Sequence, residues 1–82
     1  MSPVGKIIRY YGRTKMALVD LYEEIRLGDS IRIEKEGEGF DQVVSFMKKD
    51  EEEVERAKKG ELVSVKVIQI PKKGAILLQE KD

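Results

Sequence analysis

The sequence predicts an all-β protein, a small closed antiparallel β-barrel of six or seven strands. The first reason is Ile25-Arg26-Leu27-Gly28-Asp29-Ser30-Ile31-Arg32-Ile33, a turn feeding a strand, with a weaker copy at Ile70-Pro71-Lys72-Lys73-Gly74-Ala75-Ile76-Leu77-Leu78. Gly28 and Gly74 permit the positive φ of a chain reversal, and Asp29 is placed to hydrogen-bond the backbone two residues on. The second reason is a further glycine-ended turn, Val54 to Gly60, ahead of the apolar run that starts at Leu62. The third is size. With 82 residues there is chain for one core only, and closing the sheet buries its inner face and its edges together. The chain is therefore read as one domain, 1–82, with its core at about 4–78 and a frayed tail at 79–82.

Each element has its own signal. Val4 to Tyr11 is rich in β-branched and aromatic residues and closes at Gly12. Periodicity does not choose its inward face. Met16 to Leu21 follows after Gly12-Arg13-Thr14-Lys15, a link short enough for a hairpin. Ile31 and Ile33 alternate with Arg32 and Glu34 as a half-buried strand does, and Glu36-Gly37-Glu38-Gly39 is an acidic turn. Phe40 to Lys48 carries Phe40, Val44 and Phe46 on one face and Val43 and Met47 on the other. Apolar residues on both faces predict a strand that bends or switches its inward face.

Asp50 to Gly60 holds the one helical signal, at most a short helix near 51–58. Asp50 is a cap, Glu51 to Glu53 suit the positive start, Lys58 and Lys59 the end, and Gly60 the position beyond. Its apolar content is only Val54 and Ala57, so a loop pinned by those two residues is the alternative. Leu62 to Gln69 puts Val63, Val65 and Val67 inward and Ser64 and Lys66 outward; Pro71 breaks it, and Ala75 to Leu78 is the last strand.

Composition excludes several chemistries. There is no cysteine and no histidine, which removes disulfides, thiolate chemistry and the commonest general base and metal ligand. No cofactor, metal or nucleotide is expected, and Gly37-Glu38-Gly39 is not a phosphate loop. Glu23-Glu24 and Asp50 to Glu53 read as solvated charge rather than catalytic carboxylates. A weak Mg²⁺ site at Asp50 to Glu53 is the alternative to helix-start charge. Nucleophile activation is left with a Ser–Lys pair or a carboxylate base, and Ser64 with Lys66 sits on a wet strand face without an oxyanion hole. The chain is read as no enzyme. Apolar runs are too short to span a membrane, and Met1-Ser2-Pro3-Val4-Gly5-Lys6 has no signal-peptide core, so a cytoplasmic location is expected. Many Lys and Glu beside no Asn, Cys or His suit a thermophile.

Net charge is zero although 39% of residues are charged. The charge is uneven: six cations against four anions in residues 1–33, six against ten in 34–61, and four against two in 62–82. Basic ends around an acidic middle point to a basic face where first and last strands meet, or to a mixed solvated surface. The candidate binding residues are Arg9, Tyr10, Tyr11, Arg13, Lys15, Lys72 and Lys73. Tyr10 and Tyr11 beside Arg9 and Arg13 form the aromatic–basic grouping that stacks bases and neutralises phosphates. The alternative places one tyrosine in the core and the other over a rim.

The order Val4-Gly5-Lys6-Ile7-Ile8, Ala17-Leu18-Val19 and Leu27-Gly28-Asp29-Ser30-Ile31-Arg32-Ile33 resembles the β-barrel domain II of translational GTPases such as elongation factor Tu. The pattern continues through Phe40 to Met47, Val54 to Glu61, Val65-Lys66-Val67 and Lys73 to Leu77, and so spans roughly residues 4 to 78. It is closest to short stand-alone versions of this barrel and to the version that closes some collagenase-like peptidases. The resemblance implies a barrel without its own catalysis or GTP binding, and a non-enzymatic module engaging RNA, the ribosome or a tRNA-related complex. By position, Gly12-Arg13-Thr14 falls at a turn near the tRNA end in elongation factor Tu, which ranks Arg13 first. The other implied role is a protein-interaction or accessory domain docking on a separate enzyme such as a collagenase-like peptidase, through an apolar rim including Met16, Leu18, Phe46 or Met47.

Overall fold

Alternating apolar residues shape the longer of the ten strands in the computed structural model, which describes residues 1–80. The ten are β1 (Ser2–Tyr11), β2 (Met16–Leu21), β3 (Ile25–Arg26), β4 (Ser30–Lys35), β5 (Glu38–Val43), β6 (Met47–Lys49), β7 (Glu52–Glu53), β8 (Arg56–Ala57), β9 (Leu62–Lys66) and β10 (Ile76–Gln79). Eight form one antiparallel sheet in the order β5-β4-β10-β1-β2-β9-β6-β7, and β3 pairs with β8 in a small second sheet. The all-β class holds, whereas the strand number differs from six or seven. The radius of gyration, 11.2 Å, is close to the roughly 12 Å of a compact chain of this length. One apolar cluster, including Ile7, Val19, Ile25, Ile33, Val63 and Leu77, serves both sheets.

The sheet is not closed by its backbone ladder, which corrects the expectation of a closed barrel. Its end strands, β5 and β7, do not pair with each other. Residues 38–49 turn out of one pairing into another, running along β4 as far as Val43 and along β9 from Met47. The inward residue changes from Val44 to Met47 in that passage, with Val43 exposed, so this strand does switch faces. Beyond β9 the chain returns alongside β5 in antiparallel order without a ladder. Gln42 bridges at one end of this seam, donating from Nε2 to the Lys66 carbonyl (2.8 Å) and accepting from the Ile68 amide (3.0 Å). At the other end Lys72 pairs with Glu38.

Among the described residues there is no helix, so the signal at 51–58 gives way to the pinned loop. Val54 packs on the core and Ala57 is buried opposite Ile25 in the β3–β8 pair. Two apolar residues cannot offset the cost of nucleating so short a helix. Asp50 and Glu51, with φ of 50° and 67°, instead form the two-residue loop between β6 and β7.

Gly28 and Gly74 take the expected positive φ, and Gly60 takes it too, in a turn rather than beyond a helix. Asp29, however, accepts from the Arg26 amide (2.9 Å), three residues back rather than two residues on. Gln79 belongs to β10, paired with Ser2 and Ile31, so the frayed tail does not begin there; Lys81 and Asp82 lie outside the described residues. Among the described residues, no helix is long and apolar enough to cross a membrane.

Candidate docking surface

The surface is shaped by two register shifts in β1, one between Pro3 and Gly5 against β10 and one between Ile7 and Arg9 against β2. The second pushes Ile8 out of the ladder. Val4, Ile7 and Tyr10 then face inward at intervals of three, with Tyr10 packed on the core. Ile8 is left 47% exposed. Gly5 permits the close approach of β2, since a Cβ there would lie 2.7 Å from the Val19 methyl carbon Cγ1.

The turn after Pro71 faces this bulge. Ala75 bonds the Lys72 carbonyl, Lys35 Nζ donates to the Lys73 carbonyl (2.6 Å), and Gly74 turns at φ 81°. Bulge and turn enclose a depression of about 340 Å³ lined by Ile7, Ile8, Arg9, Tyr10, Pro71, Lys72, Lys73 and Gly74. The structure thus brings together Arg9, Tyr10, Lys72 and Lys73 of the sequence candidates. Tyr11 instead lines a second depression, about 420 Å³, with Met16, Phe46, Ser64 and Lys66. This division, Tyr10 on the core and Tyr11 outside, is the alternative reading of the pair. Arg13 and Lys15 occupy the β1–β2 turn and line neither depression. The Lys15 carbonyl accepts from Val67, which holds that turn against the start of the returning chain.

The apolar rim expected at Met16, Leu18, Phe46 and Met47 is not open. Met47 is core, Met16 is buried, and Leu18 and Phe46 are half-covered. The exposed apolar residues lie elsewhere: Ile68 is 65% and Ile70 77% exposed, on the segment leading into Pro71. Ile70 lines a slot of about 150 Å³ in the seam against β5. Sequence reasoning missed Ile8, Ile68, Ile70 and Gln42. The pairing of Gln69-Ile70-Pro71 offered one signal, because a proline cannot continue a ladder.

Electrostatics divide the cations. The Lys72 ammonium is raised above its ordinary pKa first by its hydrogen bond with Glu38, and Glu38 is lowered by the same contact. Lys49 and Glu61 act on each other likewise, with the Lys58 amide adding to the lowering of Glu61. Arg32 is raised by Glu34 and then by Asp41. Arg9 and Lys73 pair with no carboxylate of the described residues. Among the described residues no group of three acidic side chains is placed to hold a metal, Asp50 to Glu53 included. Ser64 and Lys66 share the second depression with Lys48, Asp50 and Glu51.

No family model matches the chain. It is 32% identical over 72 residues to an uncharacterized protease of Methanocaldococcus jannaschii, a match covering 87% of this chain. The chain spans only 18% of that curated relative's length. The crystal structure of the C-terminal domain of a Geobacillus thermoleovorans protein assigned to the U32 peptidases superposes with a TM-score of 0.87, at 23% identity over 98% of this chain and 93% of that one. Its selenomethionine variant gives 0.83 at 24% identity, covering 98% of this chain and 100% of that one. The fold is shared with a U32 peptidase C-terminal domain. This likeness lies on the peptidase side of the resemblance drawn from sequence and lends nothing to its translational-GTPase side.

Proposed function

We propose that this chain is a non-catalytic accessory domain that packs on the catalytic part of a peptidase-type enzyme. The observation that carries the reading is the run of 72 residues shared at 32% identity with a protease of which it makes up 18%. A segment of that size, with the fold of a peptidase C-terminal domain, is suited to being an attachment rather than a reaction centre. The chain's own chemistry agrees: its carboxylates are solvated or ion-paired, and it has no histidine or cysteine to activate a nucleophile. Exposed Ile8, Ile68 and Ile70 supply apolar area for a protein contact.

Binding of RNA fits less well. Net charge is zero, and Lys72 is already engaged by Glu38. Phosphate binding draws on cations free to release counterions. Affinity capture with this chain from its native lysate, before and after nuclease treatment, tests the proposal. Recovery of a peptidase-type enzyme that survives nuclease is expected. Recovery only of ribosomal or tRNA-associated material that nuclease abolishes would overturn it.

A further inference from the structure

We propose that the depression between the Ile8 bulge and the Pro71–Gly74 turn seats an acidic, apolar-tipped segment of a protein partner, a large aliphatic or aromatic side chain beside a carboxylate. The inference rests on the docking reading for the identity of the partner, and on the depression itself for the chemistry. Ile8 and Pro71 contribute apolar walls, and Tyr10 backs them from the core. Arg9, Lys72 and Lys73 are the charged residues of the lining, which contains no acid. Lys72 is neutralised by Glu38, whereas Arg9 and Lys73 meet no carboxylate of the described residues. A site with apolar walls and unpaired cations is complemented by an apolar side chain with a carboxylate next to it, and a guanidinium takes a carboxylate in two parallel hydrogen bonds.

The same features select peptide over nucleic acid. At about 340 Å³ the depression has room for a side chain or two, not for a strand of bases. Tyr10 is committed to the core rather than offered for stacking.

The test is selection from a random-peptide display library on the immobilised chain, followed by titration of a synthetic consensus peptide. Enriched peptides are expected to carry Asp or Glu beside Leu, Ile, Phe or Trp. The consensus peptide should move the amide resonances of Ile8 to Tyr10 and Lys72 to Gly74. Its binding should weaken by about ten-fold or more in the Arg9→Glu/Lys73→Glu double variant, the loss of two charge-assisted contacts. Arg13→Glu, outside the depression, should bind as the parent does. Both variants change exposed residues and should keep the parent melting temperature. No enrichment, a basic or uncharged consensus, resonance shifts elsewhere, or displacement of the peptide by tRNA at low salt would each overturn the inference. Enrichment as expected, with no peptidase captured by the chain, would leave the depression assigned and remove the accessory-domain reading. A captured peptidase that binds the double variant equally well would do the reverse.

Discussion

Gln42 stands where two stretches of chain approach without pairing, and it is the one buried polar side chain among the described residues, 8% exposed. Its amide donates to the Lys66 carbonyl and accepts from the Ile68 amide, as a backbone amide would in a ladder. Gln42→Leu keeps the volume but leaves both backbone groups unpaired, so stability should fall by about 1–3 kcal/mol. Urea denaturation reads this directly, and an unchanged midpoint would show that the bridge does not hold the seam. Glu51 is the second residue-scale case, a non-glycine in left-handed backbone directly after another, Asp50. Glu51→Gly should raise stability by about 1 kcal/mol, since glycine adopts that conformation freely. A lower melting temperature for this variant would mean that the Glu51 side chain contributes more than its backbone costs. Neither residue was legible in sequence: a lone glutamine in an apolar strand gives no sign of what it faces, and Asp50-Glu51 reads as a helix start.

At the scale of elements, Glu61 ties the 56–61 segment to β6 by accepting from Lys49 and from the Lys58 amide. These hydrogen bonds lower the Glu61 pKa in the folded state, the Lys49 contact most. A depressed carboxylate contributes stability above its unfolded pKa and loses it as pH falls through the folded value. Melting temperature should therefore drop on acidification, and Glu61→Gln should show a shallower drop over the same range. Equal slopes would place the acid sensitivity elsewhere. Elements with several alternating residues were legible: β2 begins and ends where the apolar run does, and Val63, Val65 and Val67 face inward as period two requires. Strands of two residues, β3, β7 and β8, carry no visible period and were not. The bulges in β1 hid its inward face, because Val4, Ile7 and Tyr10 are spaced as no regular strand spaces them. They also hid Ile8, and with it half of the candidate surface. Charge and aromaticity, which do not depend on register, picked out seven candidate residues, but not that Arg9, Tyr10, Lys72 and Lys73 would line one depression while Tyr11, Arg13 and Lys15 would not.

For the whole molecule, the open seam replaces a closed ladder while the all-β architecture and single core remain. The depression beside the Ile8 bulge is lined by three cations and no acid, so a neutral protein presents a local, not a global, basic site. That arrangement fits selective contact with a protein better than attachment to a polyanion. The direct measurement is sedimentation velocity of this chain with the remainder of the Methanocaldococcus jannaschii protease outside the matched residues, and separately with tRNA. The account predicts a one-to-one complex with the protease remainder that withstands moderate salt, and free sedimentation beside tRNA. A salt-sensitive complex with tRNA and none with the protease remainder would contradict it.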